Sequence, residues 1–534
     1  LQKELAYYCQ QDVKILKEAC VLYRAEIMDL TKRKVYVGMT KEGGLRVKHR
    51  HIDPFQYLTL TSVSLAVFKF MFIEPNTIAL TPPDEYHRSA KRYSTSSIQW
   101  LSFIEHKEQI NIQHALQGGE YRVGSYYLDG YALVRGVKTV FEFEGCFYHG
   151  CLKCYREDEK NPLTGNSYRF HAYQTRCKND FLREKGYSVR TIWEHEWKEM
   201  LEKDAELQQF LKDRGFPQPL KPRDALFGGR TNAISLYYAT VPGEEIRYYD
   251  FTSLYPFVNK TKEYPIGHPE IICENFAPLS EYFGLAKAKV YPPRGLFFPI
   301  LPFRMGGKLM FPLCRTCAEN KQMDLCLHTD EERALEGTWC TVELAVALEK
   351  GYRLGKLFEV WHFEKRSDKL FSKYINVHLR QKQEASGYPQ WCVSKEQRAK
   401  YIEDYYKREG VRLRPEHVEV NPSKRSIAKL YLNSLWGKFA QRVNMGNVSI
   451  VREADDLFQL VFSPHYVVSS CNFLGEEAAV VRWKYAKNRC VISSNTNVFL
   501  AAFTTAYARL ELFKLLDGLQ ERCLYHDTDS VIFV

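Results

Sequence analysis

The sequence predicts an α+β fold, and three observations carry that reading. From Asp224 onward, strand-like and helix-like segments mix without regular βαβ alternation. Residues 121–145 and Ser188–Trp193 alternate like strands between charged helical stretches. Between these halves runs Arg214-Gly215-Phe216-Pro217-Gln218-Pro219-Leu220-Lys221-Pro222, whose prolines can continue neither a helix nor a central strand.

Composition narrows the class. A chain of 534 residues suggests about three or four domains. Hydrophobic residues at 45% and charged residues at 26% exclude disorder and fibrous repeats. No membrane association is expected. The apolar Val498–Tyr507 stretch is broken by Thr504 and Thr505 and is far shorter than a span, and the start Leu1-Gln2-Lys3-Glu4 is too polar for a signal peptide. Lys and Arg number 75 against 64 Asp and Glu, with 35 Tyr and 32 Phe. Cations for phosphates and rings for bases suit a nucleic-acid channel, although large cores carry many aromatics too. The 15 cysteines, without a secretory signal, read as reduced thiols or metal ligands. The Leu1 start and the uncapped apolar end Val531-Ile532-Phe533-Val534 predict a piece of a longer chain.

Taken in order, residues 1–30 form a helix with Leu5, Tyr8, Val13, Leu16 and Cys20 near helical spacing. Strands follow at Tyr127-Leu128-Asp129 and Thr139–Glu144. Next come a charged helix from about 175, the strand Ser188–Trp193, and a second charged helix from Glu196. After the 214–223 linker, three segments carry chemistry. Tyr248-Tyr249-Asp250-Phe251-Thr252-Ser253-Leu254-Tyr255-Pro256 delivers a carboxylate at a strand end and turns before the proline, a good Mg²⁺ ligand position. Alone, such an Asp is more often a helix cap. Lys429, Asn433 and Gly437, within a helix starting near Ser426, fall at i, i+4 and i+8. They offer one face a cation, an amide and a gap where another molecule can approach. Tyr525-His526-Asp527-Thr528-Asp529-Ser530 places two carboxylates at a hairpin tip, where they repel unless a cation lies between them.

In this order the three segments resemble motifs A, B and C of family B DNA polymerases, and most closely the protein-primed branch of Maverick/Polinton elements and related viruses and plasmids. The resemblance covers roughly residues 224–534, as palm and fingers without a thumb. Phe227-Gly228-Gly229-Arg230 stands where that family links exonuclease to polymerase, with Leu226 in place of the usual Tyr, and Asn497–Leu510 resembles the helix before motif C. The resemblance implies template-directed nucleotidyl transfer from dNTPs on a DNA primer–template, with two Mg²⁺ clamping the attacking and leaving oxygens. Asp250 and Asp529 would be the principal ligands, with Asp527 in support and the Phe251 carbonyl completing the shell. Lys429 and the amides of Ser253 and Leu254 would hold phosphates, Tyr255 would exclude a 2′-hydroxyl, and Asn433 would line the nascent base pair. Tyr525, Gly228, Gly229 and Gly437 would face primer and template. Arg380 and Lys382 would add phosphate contacts from the fingers, against the commoner reading of a solvated basic helix face. A terminal protein as primer, and the nucleus as location if the element is eukaryotic, follow from the same resemblance.

The first half adds more. Tyr8 and Asp12, at i and i+4, resemble the third exonuclease motif of the same polymerases, which makes residues 1–30 the end of an exonuclease domain and 31–118 a connection. Glu142 and Glu144 share a strand face that Asp129 could join at a metal. The 119–213 segment resembles very-short-patch-repair endonucleases, a restriction-endonuclease-like α/β fold. The resemblance assigns Mg²⁺ to Asp129, cleavage assistance to His149, and a structural zinc to Cys146, Cys151, Cys154 and His195. Here Cys154 is displaced by one position, His195 replaces a Cys, and Glu144 stands where a lysine is usual. A decayed domain kept for folding or DNA holding is the competing reading. Cys314, Cys317, Cys326 and His328 have the spacing of a closed zinc site within an insertion at 296–345, against free buried thiols. A metal-dependent endonuclease remains the alternative function, and a non-catalytic accessory is disfavoured because Asp250, Asp529 and Lys429 are all present.

Overall fold

In the computed structural model, residues 2–39, 45–79, 93–161, 164–214, 219–442, 444–463, 465–475, 477–486 and 496–534 are described. Helix α1 (Gln2–Leu30) buries only Ile27. Its last turns nevertheless dock on the C-terminal half, where the Tyr23 and Tyr431 hydroxyls are 2.8 Å apart.

The amino-terminal unit is a four-stranded sheet wrapped by helices. In chain order it contains α2 (Thr95–Glu108), β1 (Gln113–His114), β2 (Gly130–Val134), β3 (Val137–Glu144), α3 (Tyr168–Glu184), β4 (Ser188–Trp193), α4 (Glu194–Lys203) and α5 (Ala205–Arg214). The strand order is β1-β2-β3-β4; β3 and β4 are parallel, with α3 as the crossover between them. Trp100, Leu101, Phe141, Trp197 and Leu207 form its core. The first charged helix starts earlier than its charge pattern predicts, at Tyr168, because the Ser167 hydroxyl caps it by accepting the Phe170 N–H. The second starts at Glu194 and breaks at Asp204.

The C-terminal half contains β5 (Thr231–Ala233), β6 (Arg247–Asp250), α6 (Leu254–Thr261), β7 (Glu270–Ile272), β8 (Gly284–Tyr291), β9 (Leu335–Cys340), α7 (Thr341–Glu349), β10 (Arg353–His362), α8 (Ser372–Glu384), α9 (Pro422–Phe439), α10 (Val498–Leu519), β11 (Cys523–Asp527) and β12 (Ser530–Phe533). One sheet has the order β6-β12-β11-β5 and another β7-β10-β8-β9, both antiparallel throughout. Gly284 is needed where β8 meets β10, because a Cβ there would lie 1.9 Å from the Trp361 carbonyl oxygen. Helix α10 is buried on every side, which suits its nearly unbroken apolar sequence. Asn497 caps it by accepting the Leu500 N–H at 3.1 Å.

Three local readings change. Helix α9 begins at Pro422 rather than near Ser426, with Asn421 as its cap and proline at the first position, where a missing N–H costs nothing. Pro256 lies in the first turn of α6, and the chain turns earlier, at Ser253. Of the linker, residues 215–218 lie outside the described residues. Leu220 is already core, fully buried with its N–H donated to Glu359 Oε2 at 2.6 Å.

Candidate active site

The pairing of β6, β12 and β11 assembles three carboxylates. Asp250 ends β6 opposite Ser530, and Asp527 ends β11 opposite the same residue. Asp529 stands between them in the two-residue turn Thr528-Asp529. The Phe251 N–H donates to the Asp529 carbonyl at 2.7 Å, which ties the end of β6 to that turn. Thr528 has φ 52°, a left-handed conformation costing a β-branched residue about 1–3 kcal/mol. Its N–H donates to the Arg230 carbonyl at 2.9 Å and its hydroxyl to Asp527 Oδ1 at 3.0 Å. Burial first, then the adjacent Asp250 and Asp527 charges, raise the Asp529 carboxyl above its ordinary value. This is a site whose charge calls for cations.

Gly229, expected to face primer and template, also has a packing requirement. A Cβ there would lie 2.4 Å from Thr528 Oγ1. Gly228 also serves the scaffold, because its carbonyl and that of Phe227 each accept from Arg509 Nη1 at 2.9 Å. Arg509 also makes a two-pronged pair with Glu343 of α7, both fully enclosed. The Phe227–Gly228 segment, α10 and α7 are thereby held by one guanidinium. The charge pattern gave no sign of it, since its partners are 166 and 282 residues away.

Across from the carboxylates lies α9. Ala428, Tyr431, Leu432, Leu435 and Phe439 are buried, whereas Lys429 and Asn433 are exposed and Gly437 leaves open space beside the helix, as the i, i+4, i+8 spacing predicts. Tyr255 of α6 stacks on Trp436, centroids 4.5 Å apart and planes at 27°. Its hydroxyl is pushed up, chiefly by burial and further by Asp529 and Asp527. Ser253 adopts φ 62°, the strained turn that starts α6.

Lys382 corrects an expectation. It is not a solvated side chain: its Nζ donates to Ser253 Oγ at 3.2 Å, and burial, then Arg425 and Lys429, lower its basicity. Arg380, on the same helix, is half-buried with a shielded Nε. Arg425, one turn before Lys429, was legible by spacing and had been missed. Tyr525 is 36% exposed on β11, while His526 is fully buried and pushed down to about 4, by burial and then by Arg230. Tyr8 and Asp12 lie one turn apart on the exposed part of α1.

Both cysteine clusters are assembled. Cys314, Cys317, Cys326 and His328 place one donor each within 4.8 Å of the others, as do Cys146, Cys151, Cys154 and His195. His328 Nδ1 is 3.5, 3.2 and 3.6 Å from the three sulfurs, and His195 Nδ1 is 3.3 and 3.6 Å from Cys146 and Cys151. A tetrahedral zinc has S···N edges of about 3.5 Å, so both donor sets fit. The displaced Cys154 and the substituted His195 are both in place. In the amino-terminal unit, Asp129, Glu142, Glu144 and His149 also converge, joined by Lys178 and Asn179 of α3.

A sequence model of the family described as DNA polymerase type B, organellar and viral, matches residues 220–396 and 388–518. The DNA polymerase of Kluyveromyces lactis is 24% identical over 318 residues, covering 58% of this chain and 25% of its own length. The probable DNA polymerase of Neurospora intermedia is 23% identical over 301 residues, covering 54% and 25%. The chain thus spans about a quarter of these relatives. Phi29 DNA polymerase, in complex with primer-template DNA and incoming nucleotide, aligns at 15% identity and TM-score 0.37 over 61% of this chain and 47% of its own. With the family's matched segments running from the linker through Asp250 and Lys429 to the end of the core helix α10, the chain belongs to the type B DNA polymerases of the organellar and viral family.

Proposed function

We propose that this chain carries the nucleotidyl-transfer centre of a DNA-directed DNA polymerase, extending a DNA primer on a template with dNTPs. The observation that carries this is the convergence of Asp250, Asp527 and Asp529 at adjoining strand ends, with Lys382, grouped with Arg425 and Lys429, reaching Ser253 just after Asp250. Asp250 and Asp529, with the Phe251 carbonyl, would hold two Mg²⁺, and Asp527 would support the turn. Such ions, when bound, activate the primer 3′-oxygen and neutralise the leaving pyrophosphate.

The chain's own groups do the rest. Lys429, Lys382 and Arg425 bind the triphosphate, with the amides of Ser253 and Leu254 on its outer oxygens. Tyr255, braced by Trp436, lies under the sugar and excludes a 2′-hydroxyl. Asn433 and Gly437 line the base pair, and Tyr525 meets the primer end. Primer extension with Asp529→Ala in a full-length protein tests the assignment; extension at the unsubstituted rate sinks it.

The proposal extends to three finer points. Each cysteine cluster holds a structural zinc, so metal analysis should find two per chain, and none after dialysis removes the assignment. Tyr8 and Asp12 close an exonuclease domain. The long connection between β8 and β9, which contains the Cys314–His328 cluster, meets a terminal protein that primes synthesis in a mobile or virus-like genome. Among the described residues no helix is long and apolar enough to cross a membrane.

A further inference from the structure

The polymerase reading leaves one strongly basic segment unused. Residues 32–51 hold seven Lys and Arg against one acid, Glu42, over half of the chain's surplus of 11 positive charges. The segment forms a two-stranded antiparallel ribbon, Arg33–Met39 with Leu45–Arg50, which pairs with no third strand among the described residues. Its register sets cation against cation. Arg33 opposes Arg50, and on the next rung Lys34 opposes His49. Successive side chains of a strand point to opposite faces, so the two rungs put positive charge on both faces of the ribbon. At its foot Lys32, Arg33, Lys34, His49, Arg50 and His51 are all exposed.

That foot is built into the rest of the molecule. The Thr31 hydroxyl accepts the Ile52 N–H at 2.9 Å and donates to the Ile27 carbonyl at 2.7 Å, which closes the two strands over the end of α1. One residue further, Asp53 takes a two-pronged bond from Arg24 of α1, at 3.0 and 2.5 Å. Arg33 Nη1 donates to the Phe70 carbonyl at 3.3 Å, near the end of the helix Leu60–Met71. That helix packs its buried Phe68 on Phe371, Tyr374 and Phe439, the last a residue of α9. The ribbon is therefore rooted through the buried face of α9, and not through its exposed Lys429 and Asn433.

Like charges directly opposite each other weaken a β pair, and an isolated two-stranded ribbon is marginal in water. Among the described residues no carboxylate forms an ion pair with Lys32, Arg33, Lys34 or Arg50. The fold thus displays fixed positive charge on both faces and leaves the neutralising partner outside. A single DNA strand could neutralise one face. A duplex groove has phosphates along both walls, and a two-stranded ribbon matches the width of the major groove. We propose that this ribbon is an accessory clamp for duplex DNA, seated in a groove and holding phosphates on either side through Lys32, Arg33, Lys34 and Arg50. Its grip needs neither a base sequence nor a primer end. The choice of DNA rests on the polymerase reading, whereas the polyanion-binding surface does not.

The test uses the full chain and a closed DNA dumbbell, a duplex that offers no 3′ end to the polymerase carboxylates. Binding is followed by fluorescence anisotropy from about 50 to 200 mM salt, without nucleotides or divalent metal. A variant carrying Lys32→Gln, Arg33→Gln, Lys34→Gln and Arg50→Gln should bind the dumbbell about 10-fold or more weakly, with a log–log salt slope shallower by about 3–4. Arg33→Lys with Arg50→Lys, which keeps the charge, should bind as the unsubstituted chain does. Primer extension at saturating primer–template should persist in the four-fold variant. If circular dichroism shows that variant unfolded, Lys34→Gln with Arg50→Gln, one cation from each face, replaces it, with the slope shallower by about 2. Dumbbell affinity and salt slope indifferent to these cations overturn the proposal. A loss confined to single-stranded DNA, with dumbbell binding kept, overturns the duplex clause. Failure of the unsubstituted chain to extend a primer, while dumbbell binding still depends on the ribbon, sinks the polymerase reading alone.

Discussion

Two carboxylate trios in this chain are built in opposite ways. Asp250, Asp527 and Asp529 sit at open strand ends, and none of them makes an ion pair with the cations of α8 and α9 among the described residues. Asp129, Glu142 and Glu144 are set into a sheet face with Lys178, Asn179 and His149 laid directly over them. The open trio suits the proposed admission of a triphosphate and a primer end, since neutralising cations can arrive together with the triphosphate. The enclosed trio carries much of its compensation in the fold, because burying uncompensated charge is costly. The difference shows in proton affinity. Burial and neighbouring carboxylates raise Asp529, while Glu142, buried more deeply beside Asp129, is pushed up to about 8 despite Lys178.

The comparison can be broken by experiment, beginning with the largest effect. Asp529→Ala should cut primer extension by about 10³-fold or more, the loss of several kcal/mol of charge stabilisation, while leaving the unfolding midpoint unchanged or slightly raised as repulsion with Asp250 is relieved. A fall in stability instead would show that the open trio is structural. Next, Arg509→Leu should destabilise the polymerase half by about 3–5 kcal/mol in urea unfolding, because Glu343 is left charged and fully enclosed. A negligible change would mean that the carboxylate is readily protonated.

The same substitution in both trios sharpens the contrast. Lys178→Met should cost roughly 2–3 kcal/mol of stability, less than a fully buried pair because Lys178 keeps some exposure. Lys429→Met, on an exposed helix face, should leave stability within about 0.5 kcal/mol and raise the KM for dNTPs. Equal stability losses would erase the distinction. The smallest effect concerns burial without a charged partner. His378, enclosed beside Tyr374 and Tyr431 with Gln381 at Nδ1, is pushed down to about 4 by burial. The unfolded chain binds that proton first, so the contribution is complete above about pH 6.5 and is lost as pH falls towards about 4. His378→Phe should flatten this acid limb in stability measurements; an unchanged limb would assign it to other groups.

Much of the candidate centre was legible because its parts are local. Asp250 at a strand end, Asp527 and Asp529 about a hairpin turn, and Lys429 with Asn433 on one helix face each follow from a period of two or 3.6 residues. The Cys314, Cys317, Cys326 and His328 cluster was legible from its close spacing, whereas Cys146, Cys151, Cys154 and His195 were brought together by a resemblance. Lys382 was misread as solvated because nothing in α8 announces that Ser253, 129 residues earlier, lies against it. The packing of Gly229 on the Thr528 side chain was likewise beyond reach, since the two are far apart in the chain.

The sequence by itself determined the mixed α+β class, the order of the three polymerase segments, and the residue types that can hold a cation or a phosphate. Only the tertiary structure decided which charges neutralise which. Lys178 meets Glu142 across 36 residues of chain, and Arg509 meets Glu343 across 166. The physical reason is that short-range periodicity orients a side chain to a face, whereas electrostatic pairing depends on what another element brings to that face. That pairing is set by the packing of the whole core.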